Sequence, residues 1–373
     1  MGDLIERVEA VGRDASSRAG EIERLRRLPD DLAGALRDTG MFRAWVPARY
    51  GGDESDAMTV LDAIEALSFH DGATGWCGMI AATTSLTAAF LPPEHAQRIY
   101  GDPDAVTGGF ALPAGRATPV DGGLLVNGRW QWGSGTHHCT WIGGGCLVEG
   151  AGAPFVFFER DQVELLDTWH VAGLKGTGST DYEVHDAFVP EGRWVHVLNG
   201  EPVVDGALYR MPFMGLLALG VCSVALGLAR RAQHELVALA GGKTPSGSAK
   251  TLAERQAVQA SVAKAEAAWR SARSLVREVV EEASAHEPSG EPGLTGELRR
   301  RVRLAATNAT WRSAAAVDRM YHAGGGSSIH ETHALQRVFR DVHVATQHAM
   351  VAERTYEPLG RMALGLPTDV RQL

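Results

Sequence analysis

The sequence predicts an α+β protein that is mainly α-helical, with its strands gathered in one central block. Apolar residues recur at helical spacing over residues 4–100, as Leu4, Val8 and Val11 show. Residues 106–198 change to short β-type runs separated by glycines, and helical periodicity returns after Pro212. Because helices and strands are segregated along the chain, a parallel α/β sheet and a classical dinucleotide-binding fold are disfavoured.

Turn signals divide the first two blocks into elements. The segments Arg49-Tyr-Gly-Gly52 and Leu91-Pro-Pro-Glu94 interrupt the helical pattern, and the second predicts a helix that begins at Pro93. In the central block, β-type runs cover residues 123–128, 141–148 and 154–158.

The last block predicts four long helices, over residues 214–239, 252–285, 298–321 and 333–354. Loop composition separates them at residues 241–250 and 287–296. We therefore expect a helical domain over residues 1–105, a β-domain over residues 106–203 and a helical bundle over residues 204–373.

Composition excludes several functional classes. The 373 residues are 45% hydrophobic and 22% charged, with a formal net charge of -9, which is typical of a soluble globular protein and gives no reason to expect a nucleic-acid partner. No apolar signal core and no uninterrupted apolar stretch of about 20 residues is visible, so no membrane association is expected. The four cysteines lack C-x-x-C or Cys/His ligand spacing, which predicts no metal site and favours a reducing, cytoplasmic location.

Six segments, in this order and at this spacing, resemble the acyl-CoA dehydrogenase superfamily over nearly the whole chain. They are Asp71-Gly-Ala-Thr-Gly-Trp76, residues 120–130, Ser134-Gly135 with residues 138–141, Trp169 with Gly173-Leu-Lys-Gly-Thr-Gly-Ser179, residues 184–190, and Leu335-Gln-Arg-Val-Phe-Arg-Asp341. Within the superfamily, the chain is similar to the flavin-dependent, two-component (group D) monooxygenases, the oxygenase components of phenol and secosteroid hydroxylases.

The resemblance implies a helical N-terminal domain, a central β-barrel-like domain, a C-terminal four-helix bundle and a homotetramer. It also implies an enzyme that receives reduced flavin, FMNH2 or FADH2, from a separate NAD(P)H-dependent flavin reductase. With O2 the flavin would form a C4a-(hydro)peroxyflavin that hydroxylates an aromatic or polycyclic small molecule, or N-oxygenates an amine.

Two alternatives remain open from the sequence. An acyl-CoA dehydrogenase-like FAD oxidoreductase needs a carboxylate base beside the flavin. The start of the helix after the β-domain, residues 214–220, contains no acid, and Glu331 is the only carboxylate near the glycine run of residues 324–326. The third possibility is a non-catalytic flavin-binding homologue.

Two histidines are candidates for the group that deprotonates or orients the substrate. His343 and His348 are five residues apart on a predicted helix, so they point in different directions. The resemblance selects His348 as the histidine near flavin and substrate. An imidazole suits this role because its ordinary pKa of about 6.5 lets it accept a phenolic proton near neutrality.

Ser134 is the second catalytic candidate, since the resemblance makes it the hydrogen-bond partner of flavin N5. Flanking glycines let a planar ring approach closely. The predicted flavin-binding residues as a group are Phe110, Trp132, Gly133, Ser134, Gly135, Thr177, Ser179, Gly325 and Arg337. Of these, the resemblance places Gly325 and Arg337 in segments that approach the flavin of a neighbouring subunit.

The predicted substrate-binding residues are Trp76, Thr83, Thr84, Met214 and His348. Related hydroxylases tend to carry a histidine in the helix after the Gly-Trp motif, but residues 79–86 contain none. Gly133 also stands where a serine is common. Both departures favour a bulkier substrate than a simple phenol.

Overall fold

The computed structural model describes residues 2–150, 152–198, 200–287, 293–370 and 373. The N-terminal part is helical, and its helices are α1 (Gly2–Ser17), α2 (Ala19–Leu25), α3 (Asp30–Asp38), α4 (Ala57–His70), α5 (Gly72–Ser85) and α6 (Pro93–Tyr100). The predicted start of a helix at Pro93 is confirmed. The break at residues 49–52 is also confirmed, since a short 3-10 turn there ends at Gly51, whose φ of 78° favours glycine.

The central part forms one mixed sheet of seven described strands. They are β1 (Thr107–Val120), β2 (Gly123–Gly133), β3 (Trp141–Val148), β4 (Phe155–Glu159), β5 (Glu164–Leu166), β6 (Thr180–Pro190) and β7 (Trp194–Val195). Their order is β5-β6-β2-β1-β3-β4-β7, and only β1 and β3 pair in parallel. The three predicted strands correspond to β2, β3 and β4, and β2 continues five residues beyond its predicted end.

The sheet curls around an aromatic core. Trp130 of β2 stacks on Tyr182 of β6 at 5.3 Å and meets Phe158 of β4 at 5.5 Å, although β2 and β4 are not neighbours in the sheet. The Tyr182 hydroxyl accepts from Phe110 N at 2.9 Å and donates to Gly143 O at 2.5 Å. These bonds hold β1 to β3 where their register shifts after Phe110.

The C-terminal part is a helical bundle. Its helices are α7 (Phe213–Gly242), α8 (Gln256–Ala285), α9 (Gly296–Gly324) and α10 (Ala334–Thr346), followed by the short α11 (Tyr356–Ala363). The predicted loop after α7 is confirmed; of the loop predicted over residues 287–296, residues 288–292 lie outside the described residues.

One predicted helix end is wrong. The fourth long helix ends at Thr346, not near Arg354, and the chain turns immediately afterwards. The side chain of Trp311 on α9 donates to the carbonyl oxygen of Val351 at 3.0 Å, and Val351 is fully buried. Past Thr346 the backbone makes i→i−3 bonds, from Gln347 N to Val344 O at 3.1 Å and from His348 N to Ala345 O at 3.2 Å, and the Trp311 contact holds the turn that follows.

Helix α7 is the centre of the bundle and packs against α4, α5, α9 and α10. Contrary to the sequence expectation, it is long and apolar enough to cross a membrane by length and composition. However, 78% of its apolar window is buried inside the protein, which is typical of a core helix.

The approach of α7 to α4 depends on a glycine. A Cβ added at Gly227 would lie 2.4 Å from the carbonyl oxygen of Glu65 and 2.7 Å from the Cβ of Ser68. Near this contact, Arg273 of α8 bonds Glu65 and Asp62 of α4, both at 2.7 Å. The N-terminal helices are thereby fixed to the bundle.

We expect Gly227→Ala to lower the free energy of unfolding by about 2 kcal/mol, because overpacking forces the two helix backbones apart. Gly241→Ala in the same helix is the matched control, since a Cβ there meets nothing within 4 Å. It should be neutral or stabilising by about 0.5–1 kcal/mol. Urea unfolding followed by circular dichroism measures both, and equal stability of Gly227→Ala and wild type would contradict the described contact.

Candidate active site

The site begins at the start of α5. Asp71 caps this helix, and its Oδ1 accepts from Thr74 N at 2.8 Å and from Thr74 Oγ1 at 2.9 Å. This capping fixes where the helix begins and therefore which way Trp76, in its second turn, points. Trp76 is buried, with 6% of its surface exposed.

Trp76 brings two distant parts of the chain together. Its Nε1 donates to Ser134 Oγ, after β2, at 3.0 Å. Its ring meets the His348 ring edge-on, with centroids 5.6 Å apart and an angle of 71°. The two predicted catalytic residues and one predicted substrate-binding residue therefore form one cluster.

Two further predicted residues extend this cluster into the loop before β6. Ser134 Oγ lies 2.7 Å from Ser179 Oγ, which lies 2.6 Å from Thr177 Oγ1. Thr177 Oγ1 donates to the carbonyl oxygen of Leu174 at 2.9 Å. Gly135 N also donates to the carbonyl oxygen of Thr177 at 2.8 Å, so the two segments are joined by backbone as well as side chains.

The loop that carries Thr177 and Ser179 is anchored to α10. Asp341 is buried, and its Oδ1 accepts from Leu174 N at 2.5 Å. A Cβ at Gly173 would lie 2.4 Å from the carbonyl oxygen of Arg340, so this close approach requires glycine. Burial raises the pKa of Asp341 to about 7.

His348 lies in the turn after α10, not on the helix as the sequence predicted. Met350 N donates to its Nδ1 at 3.3 Å, so in the neutral ring the proton is on Nε2. Burial, together with the smaller effect of the Arg303 charge, lowers the pKa of His348 to about 4. The ring is consequently neutral near pH 7 and offers an Nε2–H donor, which differs from the proton acceptor expected from the sequence.

His343 points elsewhere. Its Nε2 lies 2.8 Å from Asp318 Oδ1 on α9, and its ring packs on Phe339. The structure thus brings only one of the two candidate histidines to Trp76.

Arg303 is a site residue that the sequence analysis missed. It is 4% exposed, its NH1 lies 3.5 Å from the carbonyl oxygen of Met214, and burial lowers its pKa to about 10. A signal existed in the sequence, since Arg303 falls at helical spacing on the buried stripe of α9 with Ala306, Thr307 and Thr310. A cation on an otherwise uncharged stripe indicates a function.

A second face of the site is aromatic and open. Trp132 is 56% exposed with a φ of 62°, and Phe110 meets its ring at 5.7 Å. Gly133 and Gly135 flank Ser134, and Gly135 has a φ of 72°. A Cβ at Gly133 would lie 2.7 Å from the Tyr182 ring. An exposed indole face next to a glycine-flanked hydroxyl suits a flat heterocycle such as isoalloxazine.

Two other predicted substrate-binding residues, Thr83 and Thr84, already donate their hydroxyl protons to backbone carbonyl oxygens. Thr83 donates to Met79 O and Thr84 to Ile80 O, both at 2.8 Å and both within α5. Met214 is half-buried at the start of α7 and joins the site through its carbonyl contact with Arg303.

Gly325 and Arg337 have no described contact with Trp76, Ser134 or His348 of the same chain, and the resemblance assigns both to the flavin of a neighbouring subunit. Gly325 is 22 residues along the chain from Arg303, about 33 Å along a helix. Arg337 lies on α10. Burial raises the pKa of Asp71 and of Asp341, and the positive charge of Arg337 partly opposes this rise.

The dehydrogenase alternative lacks its base. Glu331 is exposed, in the turn before α10, and the first turn of α7 contains no acid. Neither place supplies a buried carboxylate that could abstract an α-proton.

Two cavities and one acidic cluster lie outside the site. A surface cavity of about 410 Å³ is lined by Thr140, Trp141 and residues 159–161, and one of about 200 Å³ by residues that include Arg26 and Trp169. Among the described residues, Glu164, Glu183 and His185 have ligand atoms within 4.8 Å of one another on β5 and β6. Glu164 and His185 are exposed and Glu183 is half-buried.

Comparison with known proteins assigns the fold to a family. Residues 219–353 match the family described as acyl-CoA dehydrogenase, C-terminal domain. The chain is similar to indole-3-acetate monooxygenase of Pseudomonas putida, with 34% identity over 94% of this chain and 90% of the relative. It is also similar to the flavin-dependent monooxygenase oxygenase subunit HsaA of Mycobacterium tuberculosis, with 31% identity over 94% of this chain and 92% of the relative.

A solved structure agrees with these relatives. XiaF from Streptomyces, in complex with FADH2 and glycerol, has a TM-score of 0.89 and 26% identity, and the match covers 98% of this chain and 96% of XiaF. The chain therefore belongs to the flavin-dependent monooxygenases with the acyl-CoA dehydrogenase fold. It is an oxidoreductase that uses reduced flavin and O2.

We expect Arg303→Met to raise the pKa of His348 above its value of about 4, because the variant removes a nearby positive charge. The pKa should stay below 6.5, since burial, the larger cause, remains. NMR titration of the His348 ring measures this, with His348→Asn to assign the signal. Arg299→Met, one turn earlier on α9, is the control and should leave the titration unchanged.

Proposed function

We propose that this protein is the oxygenase component of a two-component system that hydroxylates an aromatic or polycyclic small molecule. A separate NAD(P)H-dependent reductase would supply FMNH2 or FADH2. The observation that carries the proposal is the cluster in which Trp76 joins Ser134 and His348 next to the exposed Trp132 face. HsaA is an oxygenase subunit, which supports a separate partner component for this chain as well.

The residues around Trp132 and Ser134 would hold the flavin. Trp132 and Phe110 supply an aromatic wall, Ser134 supplies an oxygen for the central ring, and the loop with Thr177 and Ser179 supplies backbone and hydroxyl groups. Reduced flavin, when bound, supplies the electrons that activate O2.

His348 and Arg303 would orient the substrate. The neutral His348 ring can donate from Nε2 to a phenolic or other substrate oxygen, and the Arg303 charge favours the ionised form of that oxygen. An electron-rich ring with an anionic oxygen is the better nucleophile toward activated oxygen. This arrangement supports hydroxylation of an aromatic carbon.

Ser134→Ala is the test of this function. We expect product formed per flavin consumed to fall at least about tenfold, with H2O2 released instead, because one hydrogen bond that orders the flavin is lost. The variant and wild type are mixed anaerobically with FMNH2 or FADH2 and a panel of phenols, naphthols and indoles, then exposed to ¹⁸O2. Labelled product and H2O2 are quantified.

Thr136→Val is the matched control. Its hydroxyl is buried in the same segment and donates to Gly133 O at 2.8 Å, but it is not bonded to Ser134. Equal yields in Ser134→Ala and wild type, or no labelled product from wild type with any compound, would refute the proposed function.

A homotetramer and a cytoplasmic location are part of the same proposal. The tetramer is what the family resemblance implies, and it would cover exposed apolar residues such as Val237 and Ile329, which are 58% and 64% exposed in the C-terminal part. Light scattering after size-exclusion chromatography should give a mass four times that of the chain, and a monomer would contradict the tetramer. Fractionation of the source cells tests the location.

A further inference from the structure

The hydroxyl groups of Thr177, Ser179 and Ser134 form a chain whose direction is fixed at one end. The carbonyl oxygen of Leu174 can only accept, so Thr177 gives it its single hydroxyl proton. Ser179 must then donate to Thr177 Oγ1 at 2.6 Å, and Ser134 must donate to Ser179 Oγ at 2.7 Å. The three residues are buried, with 2–6% of their surface exposed, so water does not compete for these protons.

The bond at the other end of the chain occupies one of the two lone pairs of Ser134 and is compatible with this direction. Trp76 Nε1 is a donor only, and it donates to Ser134 Oγ at 3.0 Å. Ser134 therefore has its proton and one lone pair in use. Its remaining lone pair can accept one more hydrogen bond, but Ser134 has no proton left to donate.

Flavin differs at N5 between its two redox forms. Reduced flavin carries an N5–H, which is a donor, whereas the unprotonated N5 of oxidised flavin is an acceptor. A hydroxyl that can only accept a hydrogen bond matches the N5–H of reduced flavin. Opposite the N5 of oxidised flavin, the same hydroxyl would place one lone pair against another. We propose that Ser179 and Thr177 are positioning residues that hold Ser134 as an acceptor and thereby make the site prefer reduced flavin.

This inference rests on the proposed contact of Ser134 with flavin N5. It gives a physical reason why an enzyme without its own reductase can capture reduced flavin while oxidised flavin is also present. The preference is a property of binding, so it can be measured without turnover.

Ser179→Ala and Thr177→Val each break the chain and let Ser134 turn its proton toward N5. Wild type should bind oxidised flavin more weakly than reduced flavin. We expect the ratio of their two dissociation constants, oxidised over reduced, to fall about three- to tenfold in both variants, which corresponds to the free energy of one neutral hydrogen bond. The midpoint potential of bound flavin should fall accordingly. Fluorescence titration with oxidised FMN and FAD, anaerobic titration with the reduced forms, and spectroelectrochemistry give these quantities.

Ser179→Thr and Thr177→Ser keep the hydroxyls and should retain the wild-type ratio, while Thr136→Val controls for loss of a buried hydroxyl outside the chain. If Ser179→Ala and Thr177→Val weaken both redox forms by the same factor, the chain is merely structural and the inference fails. That result leaves the proposed function intact. Failure of wild type to bind reduced flavin would instead defeat both.

Discussion

The position of the Trp76 indole is the constraint on which the site depends. Its N–H is directed at Ser134 and its ring at His348, so one side chain sets the distance between the β-domain and the turn after α10. Asp71 decides that position because it caps the helix on which Trp76 lies. Starting the helix one residue later would rotate the indole by about 100° and break both contacts.

Trp76 connects the N-terminal helices, the β-domain and the turn after α10, so these three parts of the chain must keep their relative positions. Gly227 lets the backbones of α7 and α4 come into contact. Nearby, Arg273 forms ion pairs with Asp62 and Glu65 of α4. Asp341 fixes the loop before β6 to α10. These contacts lie outside the flavin and substrate surfaces, but each one limits how far Ser134 and His348 can separate.

The site concentrates groups that cost free energy to bury. The Arg303 guanidinium and the His348 ring lie near each other, and burial lowers the pKa of both. Apolar side chains at these positions would avoid that desolvation cost. The buried cation beside a neutral imidazole therefore serves the chemistry of the site, at the expense of stability.

The sequence by itself determined the block order, the main helices and the segments that bring Trp76, Ser134 and Ser179 to the site, because periodicity, caps and glycine motifs are local. It did not determine the end of α10 or the environment of Arg303. Trp311 holds the turn after α10 through a contact 40 residues away along the chain, and a buried cation is recognised only when its neighbours are known. The direction of the hydroxyl chain also needed the tertiary structure, since a single carbonyl oxygen decides where every proton points.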